Sequence, residues 1–172
     1  MSFGAVAPPV ARHRAAFFGA AAVVVLLDQL SKHLALRELS DGPIDLVGSL
    51  RLNLTFNDGA AFSLGSGRTA WITLVAVVVA VVIVRLGLRA DRRLWAVGLG
   101  VVLGGAAGNL VDRFLRAGDG FGGGHVVDFI DLQWWPVFNV ADVSLWVGIG
   151  LLLISSWRDG ELVEGGDDVG EP

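Results

Sequence analysis

Four long apolar blocks limit what this chain can fold into more than any motif does. They cover residues 15–36, 69–84, 94–111 and 143–157, and only Asp28 and Lys32, just before His33, interrupt the first with charge. A helix needs about 20 residues to cross a bilayer, with a range of roughly 17–25. The second and fourth blocks are short by a strict charge-free count, but flanking residues extend them and arginines can snorkel to the interface. Composition points the same way. The chain is 53% hydrophobic and only 17% charged, where soluble domains carry about 25% charged residues. The expected fold class is an all-α polytopic membrane protein with four transmembrane helices.

Arginine placement sets the expected orientation. Arg12 and Arg14 precede the first block, and Arg85, Arg89, Arg92 and Arg93 crowd the link between the second and third. The positive-inside rule makes these segments, and both termini, cytoplasmic. The loops at 37–68 and 112–142 then lie on the extracytoplasmic side. The start of the chain resembles a signal peptide, but no small-residue cleavage site follows and the later spans need this one for parity, so a retained anchor is expected. The chain divides into a cytoplasmic segment 1–14, a membrane domain 15–157 and an acidic tail 158–172. That tail holds six acidic residues and one arginine, leaving 12 basic and 11 acidic residues elsewhere. It is expected to be disordered.

The outer loops carry structure of their own. In LRLNLTFN, Leu50, Leu52, Leu54 and Phe56 alternate with Arg51, Asn53, Thr55 and Asn57, the period of a half-buried strand. Asp58-Gly59 then reads as a turn. After the glycine-rich run at 118–124, HVVDFIDL reads as a second strand. A small extracytoplasmic β-sheet follows from these two segments.

Polar side chains at membrane depth are costly and mark function by default. Asp28 and Lys32, the only lysine, stand four residues apart and read as an ion pair on one helix face. Gly100, Gly104 and Gly108 form a double GxxxG that admits a neighbouring helix, with Gly105, Asn109 and Arg113 on an adjoining face and Asp112 beside them. Asn139 and Asp142 share a face at the start of the fourth block, where Asp142 reads either as a helix N-cap or as a site residue. Asp128 and Asp131 lie just upstream.

Cysteine is absent, which removes thiol and disulfide chemistry. His13, His33 and His125 sit in no nucleophile or zinc pattern. Two carboxylates brought together in a partly dry place share a proton, one activating water while the other protonates a carbonyl oxygen or leaving amine. An aspartyl hydrolase is the chemistry this residue set supports. A proton relay through Asp28, Lys32, Asp112 and Asp128, or a membrane scaffold, stays open as an alternative at this point.

The motifs DQLSK at 28–32, NDGAAFS at 57–63, GGAAGNLVDR at 104–113, VVDF at 126–129 and FNVAD at 138–142 together resemble the lipoprotein (type II) signal peptidases. That resemblance implies an intramembrane-type aspartyl endopeptidase of the bacterial cell (inner) membrane, active on its extracytoplasmic side. It would cut diacylglyceryl-modified prolipoproteins before the lipid-modified cysteine. It implies Asp128 and Asp142 as the catalytic pair, with Asn57, Asn109, Arg113 and Asn139 lining the site and Asp28 and Lys32 in the first-helix motif. Asp112 matches a motif position outside the pair, and Asp131 is unassigned. It further implies membrane lipids as partners, sensitivity to a globomycin-type cyclic peptide, no nucleic acid, and no metal or other cofactor. Gly59, Ala60 and Ala61 are expected to let the lipid-modified end of the substrate approach the strand at 50–57. The short interval from Asp128 to Asp142 implies a trimmed loop with Trp134-Trp135-Pro136 at the interface.

Overall fold

The computed structural model describes residues 13–59, 69–118 and 121–164, with side chains as far as Arg158. Its elements run α1 (Arg14–Glu38), β1 (Ile44–Val47), β2 (Leu50–Asn57), α2 (Thr69–Gly87), α3 (Arg93–Leu115), β3 (Val126–Asp131) and α4 (Val140–Glu164). Each apolar block has become one helix, and all four are long and apolar enough to cross a membrane. The helices overrun the blocks. α3 continues through Asp112 and Arg113, because both charges find partners inside the protein. α4 runs on to Glu164, so the first residues of the acidic segment are helical rather than irregular chain.

Polarity is inverted relative to a soluble bundle. Leu26, Trp71, Val75, Trp146 and Leu153 point outward, whereas Asp28, Lys32, Asp112 and Asn139 are 0% exposed. Hydrocarbon can solvate the leucines but not the charges, so the charges turn inward and pair.

Helix α3 is the hub, packed against α1, α4 and α2. Glycines bring the α1 backbone close. A Cβ on Gly104 would stand 2.8 Å from the Ala21 carbonyl oxygen, and one on Gly108 would stand 2.9 Å from the Asp28 Cγ. These contacts advance along both helices together, so α1 and α3 are parallel. Gly105 meets Ala141 and Leu145 while Gly98 meets Leu151 and Leu152, which makes α4 antiparallel to α3. At the end of the bundle bearing Arg92, Phe17, Ala21, Ile83, Ala90, Ala96, Leu99 and Leu103 form the main apolar cluster.

The sheet caps the opposite end, where α1 and α3 finish and α4 begins. Its order is β1-β2-β3, antiparallel throughout. The strands at 50–57 and 126–131 match the sequence reading, while β1 is an addition that the alternation of Ile44 and Leu46 could have signalled. Simple alternation misreads β2, which is covered to an intermediate degree along nearly its whole length while Phe56 is exposed. The cause is a bulge. Leu52 pairs with Ile130 but Thr55 pairs with Asp128, so two β2 residues oppose Phe129 alone. An extra residue reverses which side chains face which side. Before it, Arg51 and Asn53 share a face with Asp131; after it, Thr55 and Asn57 share a face with Asp128. Leu52 and Leu54 pack on Ala35, Leu39 and Phe129, which anchors the sheet to α1.

Candidate active site

Helix α4 starts at a reciprocal cap. The Asp142 N–H donates to the Asn139 side-chain oxygen (3.0 Å), and the Asn139 N–H donates back to Asp142 Oδ2 (3.1 Å). Asn139 is therefore the N-cap and Asp142 the third helical residue, the arrangement of a capping box. This corrects the reading of Asp142 as an N-cap. The N–H of Ala141, at the second helical position, donates to Asp28 Oδ1 (3.0 Å), so α1 also helps to close the N-terminus of α4.

From that cap, Asn139 reaches Asp128. Its Nδ2 donates to Asp128 Oδ1 at 2.6 Å, and the Asn57 amide donates to Asp128 Oδ2 at 2.9 Å. The second contact exists because the β2 bulge turns Asn57 onto that face. Asn57 is held in turn by the Gly59 N–H on its side-chain oxygen (2.8 Å), and Gly59 adopts φ +85°, the left-handed conformation its turn requires. Asp142 Oδ1 accepts from the Asn109 amide (3.1 Å). Each carboxylate thus takes one donor per oxygen, and Asn139 touches both residues.

The ion cluster of α1 and α3 decides which way Asn109 points. Lys32 Nζ lies 2.9 Å from Asp28 Oδ2 and 2.9 Å from Asp112 Oδ2, and donates to Asn109 Oδ1 at 2.9 Å. Lysine has only donors, so it fixes the oxygen side of the Asn109 amide and turns Nδ2 toward Asp142. The expected Asp28–Lys32 pair is present but is part of a larger cluster. Asp112 also binds Arg116 (2.7 Å) and accepts the Val127 N–H on β3 (3.1 Å). Gln29, which residue reasoning did not single out, donates to Asp28, Asp112 and the Gly108 carbonyl. The spacing of Asp112 and Arg116 could have flagged one arm of this cluster, whereas its convergence with α1 is a tertiary fact.

Arg113 is 7% exposed and donates through one terminal nitrogen to the Gly124 carbonyl (2.9 Å) and the Asn57 carbonyl (3.2 Å), tying α3 to β2 and to the β3 approach. Asp131 belongs elsewhere. It accepts from Arg51 (2.8 Å), Asn53 and the Gln133 N–H, and the Arg51 hydrogen bond holds its carboxyl below the ordinary range. It is a sheet-bracing residue. Ala60 and Ala61 lie outside the described residues.

Asn57, Asn109, Arg113, Asp128 and Asp142 border a 350 Å³ cavity whose far wall is the apolar face of α2 at Ile72, Val75, Val79 and Ile83. Asp28, Lys32 and Asp112 do not line it. Asp128 is 2% exposed, and burial raises its pKa to about 6; the Asn57 and Asn139 hydrogen bonds oppose the rise and the Asp142 charge adds to it. Among the described residues no group of three or more His, Cys, Asp or Glu could hold a metal ion. The arrangement is a carboxylate pair, Asp128 buried and Asp142 half-buried, held by amides at the mouth of an apolar trough.

The Signal peptidase (SPase) II family profile matches residues 20–158. The lipoprotein signal peptidase of Rhodococcus jostii (strain RHA1) is 48% identical over 149 residues, covering 86% of this chain and 75% of that protein. The lipoprotein signal peptidase of Mycobacterium tuberculosis (strain ATCC 25618 / H37Rv) is 47% identical over 152 residues, 87% and 75% of the two chains. Two solved bacterial membrane enzymes, determined by the in meso method at 1.9 and 2.3 Å resolution, superpose with TM-scores of 0.70 and 0.71 at 26% and 25% identity. They cover 83% and 91% of this chain, and 93% of each solved chain is matched. A four-span membrane chain with this site and these relatives belongs to the signal peptidase II family, the membrane proteases that remove signal peptides from lipoproteins.

Proposed function

We propose that the chain is an aspartyl endopeptidase in which Asp128 and Asp142 cleave the signal peptide from diacylglyceryl-modified prolipoproteins, just before the lipid-modified cysteine. The observation that carries the reading is that buried Asp128 and half-buried Asp142 are the carboxylates that border the cavity among the described residues, while Asp28, Asp112 and Asp131 are committed to ion pairs. With a carboxyl at about 6, a singly protonated pair is well populated near that pH, and its titration belongs to both residues. The ionised member takes a proton from water as the water oxygen attacks the scissile carbonyl carbon. The protonated member gives its proton to the carbonyl oxygen. Collapse of the tetrahedral intermediate then breaks the C–N bond, with a proton passed to the leaving amine.

Asn57, Asn109 and Asn139 hold the two carboxylates in register, and Lys32 orients Asn109. Arg113 lines the cavity where the substrate backbone would pass, and Gly59 packs close beside Arg113 and Ile72 of that lining. The positive-inside rule, applied to the arginine clusters, supports cytoplasmic termini, with the sheet and the pair then at the extracytoplasmic surface of a bacterial cell membrane. A cyclic peptide of the globomycin kind would compete for this cavity, and membrane lipid would surround the apolar helix faces.

The test is to incubate the detergent-solubilised protein with a diacylglyceryl-modified prolipoprotein beside Asp128→Asn and Asp142→Asn. The expected result is a shorter product from the parent and none from either folded variant. Cleavage by either variant at the parent's rate would remove that residue from the mechanism.

A further inference from the structure

A second concavity meets the site from the other side of α4. It measures 680 Å³ and is walled by the segment from Leu132 to Phe138 and by Val143, Trp146 and Ile149 of α4. Asp142 and Leu145 border both this groove and the α2-facing cavity. The two hollows therefore share one carboxylate and diverge from it.

Their linings differ in kind. The α2-facing cavity carries Asn57, Thr73, Asn109 and Arg113 besides the aspartates, groups that can hydrogen-bond a peptide backbone. Among the described residues lining the second groove, Asp142 is the only titratable one, and the rest are aliphatic, proline or aromatic. Trp134 and Trp135 stack edge to face with centroids 6.2 Å apart and are 71% and 55% exposed at its rim. Indoles at such a place offer an apolar ring and one N–H donor, the pairing that suits the ester level of a lipid.

We propose that this groove, from Trp134 and Trp135 down to Trp146 and Ile149, seats the acyl chains of the substrate's diacylglyceryl group, while the α2-facing cavity takes the peptide. The assignment rests on the reading of the substrate given above. A substrate of that kind leaves the scissile bond in two apolar directions, as peptide and as lipid, and two hollows leave Asp142. It places the acyl chains on the α4 side rather than against the strand at 50–57.

The experiment compares prolipoprotein peptides carrying two long (palmitoyl) or two short (hexanoyl) chains, on the parent and on Ile149→Trp, which obstructs the end of the groove farthest along α4 from Asp142. A palmitoyl chain makes packing contacts along the groove that a hexanoyl chain is too short to reach, so obstructing it should lower the long-to-short ratio of kcat/KM by about tenfold. The ratio cancels any general loss of folded enzyme. An unchanged ratio, including equal losses on both substrates, overturns the assignment, because the groove would then hold peptide or nothing. A photoreactive diazirine at the end of a palmitoyl chain, used with Asp128→Asn, gives a readout without turnover. Labelling of residues 143–149 that unlabelled substrate displaces is expected. Labelling confined to α2, or labelling equally well by a diazirine phospholipid that substrate fails to displace, overturns it. Failure of the parent to cleave either peptide refutes the peptidase reading itself, and the diazirine labelling still reports on the groove.

Discussion

Asn139 offers the sharpest test, because one side chain both caps α4 and bridges the carboxylate pair. Replacing it with serine keeps a capping oxygen, since serine caps about as well as asparagine, but removes the Nδ2 that stands 2.6 Å from Asp128. A hydrogen bond to a charged group contributes roughly 1.5–3 kcal/mol. That donor favours the ionised carboxylate, so its loss raises the Asp128 pKa further. At 1.36 kcal/mol per unit the rise is about 1–2 units. The alkaline limb of the kcat/KM profile, set by loss of the shared proton near 6, should move to about 7–8 in Asn139→Ser. Thermal unfolding in detergent should show the matching stability loss above the limb and a smaller one at pH 4.5, where the carboxyl is neutral. Asn139→Ala should lose a further ~1 kcal/mol at every pH because the cap is gone. A limb that stays in place refutes the role of Asn139 in Asp128's titration, and equal stability of the serine and alanine variants refutes the cap.

Removing Lys32 as Lys32→Met leaves Asp28 and Asp112 as buried carboxylates without their shared cation, a loss of roughly 3–5 kcal/mol readable as a lowered Tm; an unshifted Tm would mean the cluster is not held by this charge. Gly108→Ala puts a methyl against the Asp28 side chain and should cost about 1–3 kcal/mol, whereas the same change at Gly150, which has nothing within 4 Å, should leave Tm within a degree or two. The raised Asp128 pKa carries its own stability signature. The folded state binds this proton more tightly than the unfolded chain, whose reference is 3.8. The contribution is therefore fully present below that value and is lost as pH rises through about 6. Its size is on the order of 3 kcal/mol, so Asp128→Asn should flatten the fall in Tm between pH 4 and 7, and a parallel fall in parent and variant would disprove it.

Periodicity and composition located the helices because the bilayer filters side chains one block at a time: any run of that length and polarity must be a helix, wherever its neighbours lie. Local chemistry likewise exposed β2 by its alternation, the Gly59 turn by its residue type, and the partnership of Asn139 with Asp142 by a spacing of three. The family motifs pointed to Asp128, Asp142 and the amides before any geometry was available. What residue order could not convey was pairing between segments far apart in the chain. Lys32 reads as the partner of Asp28 in sequence, yet it also binds Asp112 and Asn109, about 80 residues away, because glycines on α3 let α1 approach to backbone distance. The bulge at Leu52–Thr55 has no marker in LRLNLTFN, and it alone turns Asn57 toward Asp128 instead of toward Asp131. Side-chain facing along a strand depends on register with its neighbour, and register is fixed only when the strands pair.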